Sequence, residues 1–138
     1  MDAVRMQIGE VADQVGLSLR TIRFYEETGL VIPSGRSVGG FRLYSETDVS
    51  RLQLIKRMKP LGFSVEEIGD FLVVLDALGS SDLDPGEHPD LLARLDEVRR
   101  GVDERIASLV AKVEQAREFA LQLTEVSAAS RSSLDPSA

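Results

Sequence analysis

The strongest constraint on the fold is the stretch 91–126, which contains no proline and a single glycine, Gly101. From Leu91 onward its apolar residues recur at alternating spacings of three and four, the pattern of a coiled-coil seam with one extra residue near Arg105. At about 1.5 Å per residue the helix would be roughly 50 Å long, too long to bury its apolar stripe on a small head. We therefore expect it to pair with a second copy of the chain, parallel or antiparallel; a hairpin folded back at Gly101 is the alternative. The predicted dimerisation residues are Leu95, Val98, Val102, Ile106, Leu109, Val113, Ala116, Ala120 and Leu123.

Two short amphipathic segments joined by a tight turn lie near the start of the chain. The apolar residues from Ile8 to Val15 form one helical face, and Gly16 breaks the pattern. Ser18 is a good N-cap for a second helix, which Gly29 is placed to stop. This arrangement predicts a helix-turn-helix, in which the second helix reads DNA.

The second helix carries groups suited to DNA. Two arginines, a hydroxyl and a phenol lie within about two turns, and such groups match phosphate oxygens and base edges. We place Leu19, Ile22 and Glu26 near one face and assign Phe24 to the core. A surface helix with solvated arginines is the alternative interpretation. The candidate DNA contacts here are Ser18, Arg20, Thr21, Arg23 and Tyr25.

A glycine-rich segment with one proline follows and ends in the sequence Phe-Arg-Leu-Tyr. Its first part cannot be a helix interior, and its end predicts a short strand with alternating faces. We interpret residues 32–44 as a small two-stranded wing that grips DNA backbone; an ordinary surface hairpin is the alternative. The expected alternation places Phe41 and Leu43 inward and Arg42 and Tyr44 outward, with Arg36 as a second cation.

Two further helices are predicted to begin at capping boxes. Ser45 with Asp48 opens the third helix, and Ser64 with Glu67 opens the fourth. Pro60 disfavours helical geometry at the residue before it, so the third helix should end or kink there. The third helix has the buried stripe Val49, Leu52, Ile55 and Met58 and the basic side Arg51, Lys56, Arg57 and Lys59. The fourth has the apolar face Ile68, Phe71, Leu72, Val74, Leu75 and Leu78.

These elements predict a mainly α fold with a small β-wing and a long dimerisation helix. The expected divisions are a winged helix-turn-helix DNA-binding domain at 1–78, a loop or hinge at 79–90, the coiled-coil helix at 91–126 and a disordered tail at 127–138. His88, the only histidine, lies among acids in the loop. We favour a solvated acidic loop over a metal or pH-sensing site.

Composition restricts the function further. The formal net charge is −7, but residues 1–63 hold nine Lys or Arg against seven Asp or Glu, whereas residues 64–138 hold seven against sixteen. A basic end joined to an acidic end suggests that only one of them meets an anion.

Several classes of function are disfavoured by what the sequence lacks. There is no cysteine for a disulfide, a thiolate metal site or an iron–sulfur cluster. No apolar run reaches the roughly 18 residues of a membrane span, and the N-terminus lacks the core of a signal peptide, so we expect a cytoplasmic protein. With no histidine in the head and no nucleophile constellation, we expect neither an enzyme nor a cofactor.

Four segments in this order resemble the MerR family of bacterial transcription regulators. They are IGEVADQVGLSLRTIRFYEETGL at 8–30, FRLY at 41–44, DVSRLQLI at 48–55 and LGFSVEEI at 61–68. The resemblance implies a winged helix-turn-helix head on an antiparallel two-helix coiled coil, with each recognition helix in a major groove. It also implies double-stranded promoter DNA, a second copy and RNA polymerase as partners. An effector would make the dimer bend and untwist an overlong promoter spacer.

The family resemblance also implies DNA-binding roles for individual residues of the head. The resemblance assigns Arg20, Thr21 and Arg23 to bases and phosphates. It assigns Tyr25 to backbone near the dyad, with Lys59 as its basic partner, although the neighbouring Pro60 departs from the family pattern. It assigns Arg42 and Tyr44 to the flanking backbone; Arg36 and Arg57 complete the predicted DNA-binding set.

The sequence leaves more than one possibility open for the effector and for the class of function. The thiolate sensors of the family use cysteines, which are absent here, so a small ligand, a protein or no effector remains. Two other functions stay open beside a promoter-binding regulator. They are an architectural or recombination accessory DNA-binding protein and a coiled-coil protein-interaction module.

Overall fold

The computed structural model describes residues 5–134, and within them the chain is mainly helical, as predicted. It forms two compact units, Met1–Val98 and Arg99–Ala138. No helix among these residues is long and apolar enough to cross a bilayer. The elements are β1 (Met6–Gln7), α1 (Ile8–Val15), α2 (Leu19–Glu27), β2 (Gly35–Arg36), β3 (Arg42–Tyr44), α3 (Glu46–Met58), a 3-10 helix (Lys59–Leu61), α4 (Val65–Leu78) and α5 (His88–Leu134).

Local capping defines the helix-turn-helix as predicted. Helix α1 ends at Gly16, whose φ of 76° lies in the left-handed region that glycine adopts most easily. Helix α2 begins after Ser18, whose hydroxyl accepts a hydrogen bond of 3.1 Å from the Thr21 amide. Beyond its end, Gly29 has a φ of 81°. Val11 and Ile22 are completely buried and join the two helices to the core.

The wing has three strands rather than the predicted two. Strands β2 and β3 pair antiparallel, with Arg36 opposite Arg42. The other edge of β3 pairs with β1, where Met6 lies opposite Tyr44. The sequence analysis missed β1 because two residues leave no alternation to detect.

The predicted faces of the wing strand are wrong. Tyr44 is fully buried and Leu43 only half-buried, whereas Phe41 is 63% exposed and lies across Gly39 at the tip. A shift of one residue exchanges the two faces of a strand, and pairing with β1 on one side and β2 on the other decides which set turns inward. The phenol of Tyr44 also has an acceptor inside, the Glu26 carboxylate.

Helices α3 and α4 follow the predicted pattern. Both capping boxes are present, with Ser45 and Asp48 at α3 and Ser64 and Glu67 at α4. Helix α3 ends at Met58 and a 3-10 turn containing Pro60 follows, as expected from the missing amide. The predicted stripe of α3 is buried: Val49, Leu52, Ile55 and Met58. On α4, Ile68, Leu72 and Val74 are buried, and Phe71, Leu75 and Leu78 are half-buried.

Helix α5 is longer than predicted at both ends. It begins at His88 rather than Leu91, because Pro89 is tolerated in a first turn, where amides have no helical partner. It runs to Leu134, so residues 127–134 are helical and not disordered; residues 135–138 of the predicted tail lie outside the described residues. The helix continues through Gly101, so the back-folded hairpin is wrong.

Candidate nucleic-acid interface

Helix α2 presents two arginines on its exposed side. Arg20 and Arg23 are three residues apart and therefore neighbours on the helix surface. Ile22 and Tyr25 lie on the other side and are buried. Thr21 is half-buried, and its hydroxyl is 2.8 Å from that of Ser18, so both are engaged in holding the first turn.

The two aromatic residues of α2 exchange their predicted places. Phe24, assigned to the core, is 48% exposed on the arginine side of the helix, whereas Tyr25 is only 6% exposed. Their ring centroids are 5.7 Å apart, and burial raises the pKa of Tyr25. The exposed phenol expected at Tyr25 is therefore wrong, and its role as a backbone contact stays a prediction. Phe24 follows Arg20 by four residues, a spacing that could have revealed its position.

Lys56 fixes the turn that leads into α2. Its ammonium donates a 2.7 Å hydrogen bond to the carbonyl of Val15, at the negative end of α1. A Cβ on Gly16 would lie only 2.8 Å from the same nitrogen, so the lysine tip would have to shift, and the positive φ is the stronger reason for glycine here. The predicted basic side of α3 lies opposite the buried stripe, but two of its members make contacts within the protein, since Lys56 donates to the Val15 carbonyl and Arg51 pairs with Asp76 at 2.5 Å. Arg57 and Lys59 are exposed.

The wing adds a pair of arginines. Arg36 and Arg42 face each other across strands β2 and β3, an arrangement that is unfavourable for like charges without an anion nearby. Arg36 donates to the Gly40 carbonyl at 3.0 Å, and Nε of Arg42 lies 2.6 Å from Oε1 of Glu26.

Tyr44 does not face outward, contrary to prediction, and its role as a DNA contact stays a prediction. Its side chain is completely buried, and its hydroxyl donates a 2.8 Å hydrogen bond to Oε2 of Glu26. Burial, and then the hydrogen bond to Glu26, raise the pKa of Tyr44 well above its usual range. The phenol therefore stays protonated and acts as an internal donor.

A further cation at the wing was missed by the sequence analysis. Arg5 donates to the carbonyl of Ser34 at 3.4 Å, and its guanidinium crosses Gly35, where any Cβ would overlap it. The available signal was a glycine within a strand, which marks a close approach. The Ser34 hydroxyl in turn donates to the buried Asp48 at 2.6 Å, which joins the wing to the first turn of α3.

The second unit presents apolar side chains along helix α5. Leu109 is 43% exposed and Leu123 52%, large values for leucine in a folded chain. Of the predicted seam, Ile106, Leu109, Val113, Ala116, Ala120 and Leu123 are exposed, and Leu95, Val98 and Val102 are half-buried. No cluster of three or more His, Asp or Glu residues that could hold a metal is found between residues 5 and 134; His88 opens α5.

A capped helix-turn-helix, a basic wing and a long helix with an exposed apolar stripe define a winged helix-turn-helix protein of the nucleic-acid-binding kind. A family model described as "MerR HTH family regulatory protein" matches residues 6–73, and one described as "MerR, DNA binding" matches residues 49–126. The chain belongs to the MerR family.

Curated relatives include transcriptional regulators from several bacteria. The mercuric resistance operon regulatory protein of Bacillus cereus is 45% identical over 73 residues, which cover 53% of this chain and 55% of that protein. The regulator CueR of Escherichia coli is 32% identical over 118 residues, 86% of this chain and 78% of that one. The alignments thus cover about half of the first two relatives and over three quarters of CueR.

Solved structures show the same fold. The lead-bound transcription regulator PbrR691 from Ralstonia metallidurans is 30% identical with a TM-score of 0.56, covering 87% of this chain and 84% of that one. HiNmlR, a MerR family regulator solved bound to promoter DNA, is 22% identical with a TM-score of 0.71, covering 91% and 94%. The latter similarity supports the fold alone.

Proposed function

We propose that the chain is a transcriptional regulator that binds a two-fold promoter site as a homodimer. The observation that carries the proposal is the exposed face of α2 with Arg20 and Arg23, which belongs to the same compact unit as the wing cations Arg36 and Arg42. The names of the relatives, which include an HTH-type transcriptional regulator and an HTH-type transcriptional activator, support this use of the head.

The apolar stripe of α5 supports the homodimer. Exposed leucine and valine side chains at alternating spacings of three and four are costly in water and are buried when two such helices pair. A second copy supplies the matching stripe, and a dimer holds two reading heads for two half-sites. We propose the antiparallel pairing implied by the family resemblance.

The proposed mechanism is deformation of the promoter. Bending a site of this size costs on the order of 1–6 kcal/mol, which backbone contacts from the wing and from Arg57 and Lys59 would offset. RNA polymerase on the same promoter would then meet better-aligned elements. Any effector would be a protein or a ligand that is bound without protein thiolates, because this sequence has no cysteine. A non-enzymatic role and a cytoplasmic location, where promoter DNA is found, are parts of the proposal.

Two other functions are distinguished by the same experiment. An architectural DNA-binding protein would protect DNA without regard to promoter elements, and a protein-interaction module would not protect DNA at all. The exposed Arg20, Arg23 and Arg36, together with the partly exposed Arg42, favour the promoter-binding regulator over the interaction module.

The test is footprinting on the DNA upstream of the chain's own gene, with affinity measured across salt concentrations. We expect a protected two-fold site between promoter elements that are spaced too far apart. Affinity should fall steeply with salt, because each neutralised phosphate releases counterions. A flat salt response or an unprotected upstream region would refute the proposal.

A further inference from the structure

We infer that Glu26 is a positioning residue for DNA binding, which ties the end of α2 to the wing and orients the guanidinium of Arg42 toward the DNA backbone. The inference rests on the proposed function and assigns a role to an acid within the predicted interface. The sequence analysis placed Glu26 on one face of α2 without giving it a function.

Both carboxylate oxygens of Glu26 are used by strand β3. Oε1 lies 2.6 Å from Nε of Arg42, and Oε2 accepts the 2.8 Å hydrogen bond from the hydroxyl of Tyr44. The Glu26 side chain is 17% exposed and that of Arg42 is 41% exposed, so water screens the ion pair in part, and the hydrogen bond from the buried Tyr44 less. One side chain in the last turn of α2 therefore fixes the wing strand at two points two residues apart.

The geometry leaves the outer part of Arg42 for a ligand. The ion pair uses Nε, so the two terminal nitrogens, with their four N–H groups, are not the atoms committed to Glu26. The Arg42 side chain is 41% exposed, and Arg36 stands directly opposite it across the strands. Two arginines on one face, one of them ion-paired through Nε without the geometry of a hydrogen bond, form a site suited to a phosphate.

Because Glu26 is negatively charged, the direction of the change in DNA affinity on its removal tests the inference. A carboxylate near DNA repels phosphates, so its removal by itself should strengthen binding. If Glu26 orients Arg42, its removal should instead weaken binding, because Arg42 loses its fixed geometry. Simple electrostatics and positioning thus predict opposite changes in affinity for the same substitution.

The decisive variant is Glu26→Gln, which retains the shape and an oxygen that can accept from Tyr44 but loses the charge that pairs with Arg42. We expect the full-length variant to bind the footprinted site about tenfold more weakly than wild type, a typical coupling between residues that touch. The slope of log Kobs against log salt should shrink by about 0.9 for each phosphate that the variant no longer neutralises. Arg42→Ala should have much less effect in the Glu26→Gln background than alone.

Glu27→Gln is the matched control, since Glu27 is the next residue of α2 and is exposed. It makes the same change of charge without touching the wing contacts, so its affinity should be unchanged or higher. Urea unfolding of each variant separates stability from binding by the folded protein.

Three results would overturn the inference: tighter binding by Glu26→Gln, an unchanged salt slope, or lower stability with unaltered binding. In each of these cases the wild-type footprint remains and the proposed function stands. Absence of a wild-type footprint would instead refute the proposed function itself, and the inference with it.

Discussion

Arg20 and Arg23 stand three residues apart on the exposed side of α2, opposite the buried Ile22. If they read base edges or phosphates, Arg20→Ala and Arg23→Ala should each lower specific affinity by about 1–3 kcal/mol. Only groups that touch DNA are removed, so the helix content and the oligomeric state should not change. Titration of labelled operator DNA in mobility-shift gels measures the effect.

Arg94→Ala is the control for these two substitutions. Arg94 forms an exposed ion pair with Asp90 at 3.2 Å on α5, and pairs of this kind contribute little to stability. Operator binding by this variant should equal that of wild type. If Arg20→Ala and Arg23→Ala retained wild-type affinity, the proposal that α2 reads the DNA would be contradicted.

The corrected position of Phe24 gives a prediction for stability. Because Phe24 is half exposed, Phe24→Ala should lower the free energy of unfolding by about 1 kcal/mol, roughly half the contribution of a fully buried phenylalanine. Ile22→Ala, at a fully buried site in the same helix, should cost about 2–5 kcal/mol. Urea denaturation at one fixed protomer concentration compares them, and similar costs for both would contradict the exposed position of Phe24.

The burial of α2 could be predicted only in part. Ile22 was placed inward correctly, but hydrophobicity ranks Phe24 above Tyr25, and that ranking failed. Helical spacing favours the observed result, because Tyr25 follows Ile22 by three residues while Phe24 follows Arg20 by four. The structure buries a phenol and exposes an apolar ring, as would be expected if the outer side of this helix contacts bases.

At the scale of elements, the turn between α1 and α2 depends on Lys56 of α3. Lys56→Met keeps much of the side-chain length but loses the 2.7 Å hydrogen bond to the Val15 carbonyl, so it should destabilise the fold by about 0.5–1.5 kcal/mol. Arg57→Met, at the exposed neighbouring position, should have little effect on stability. Thermal and urea unfolding of the two variants test the difference, and equal stability of both would show that the hydrogen bond does not hold the turn.

Signals from neighbouring residues predicted the helix starts well. Features that depend on pairing between distant segments were not predicted. The caps at Ser18, Ser45 and Ser64 depend on residues three positions away and were all found. The orientation of Tyr44 depends on pairing with Met6, at the other end of the head sequence, and on an acceptor in α2. No window of neighbouring residues contains that information, so the burial of Tyr44 and the exposure of Phe41 were predicted wrongly.

For the whole molecule, the predicted DNA contacts and the exposed apolar stripe lie in different parts of the chain. The unit that holds α2 and the wing contains the predicted DNA contacts, whereas the last part of α5 combines acids with an exposed apolar stripe. Continuity through Gly101 removes the hairpin that would have covered this stripe within one chain. The seam could be predicted from the periodicity of its apolar residues alone. The end of α5 was missed because serine and alanine are compatible with a helix but do not indicate one.

The proposed homodimer predicts that a change in helix α5 alters DNA binding by the head. Replacing Leu109 and Val113 together with aspartate puts two charges per chain into the proposed seam, so the protein should become monomeric. A monomer engages one half-site only, and affinity for the two-fold site should fall by about 10²-fold or more. Replacing Ala107 and Ala111 with aspartate adds the same charge at exposed positions outside the heptad seam and should leave both properties intact. Analytical ultracentrifugation and footprinting on the same samples measure the two effects. Monomers that protect the full site with undiminished affinity would separate DNA binding from the coil and contradict the dimer proposal.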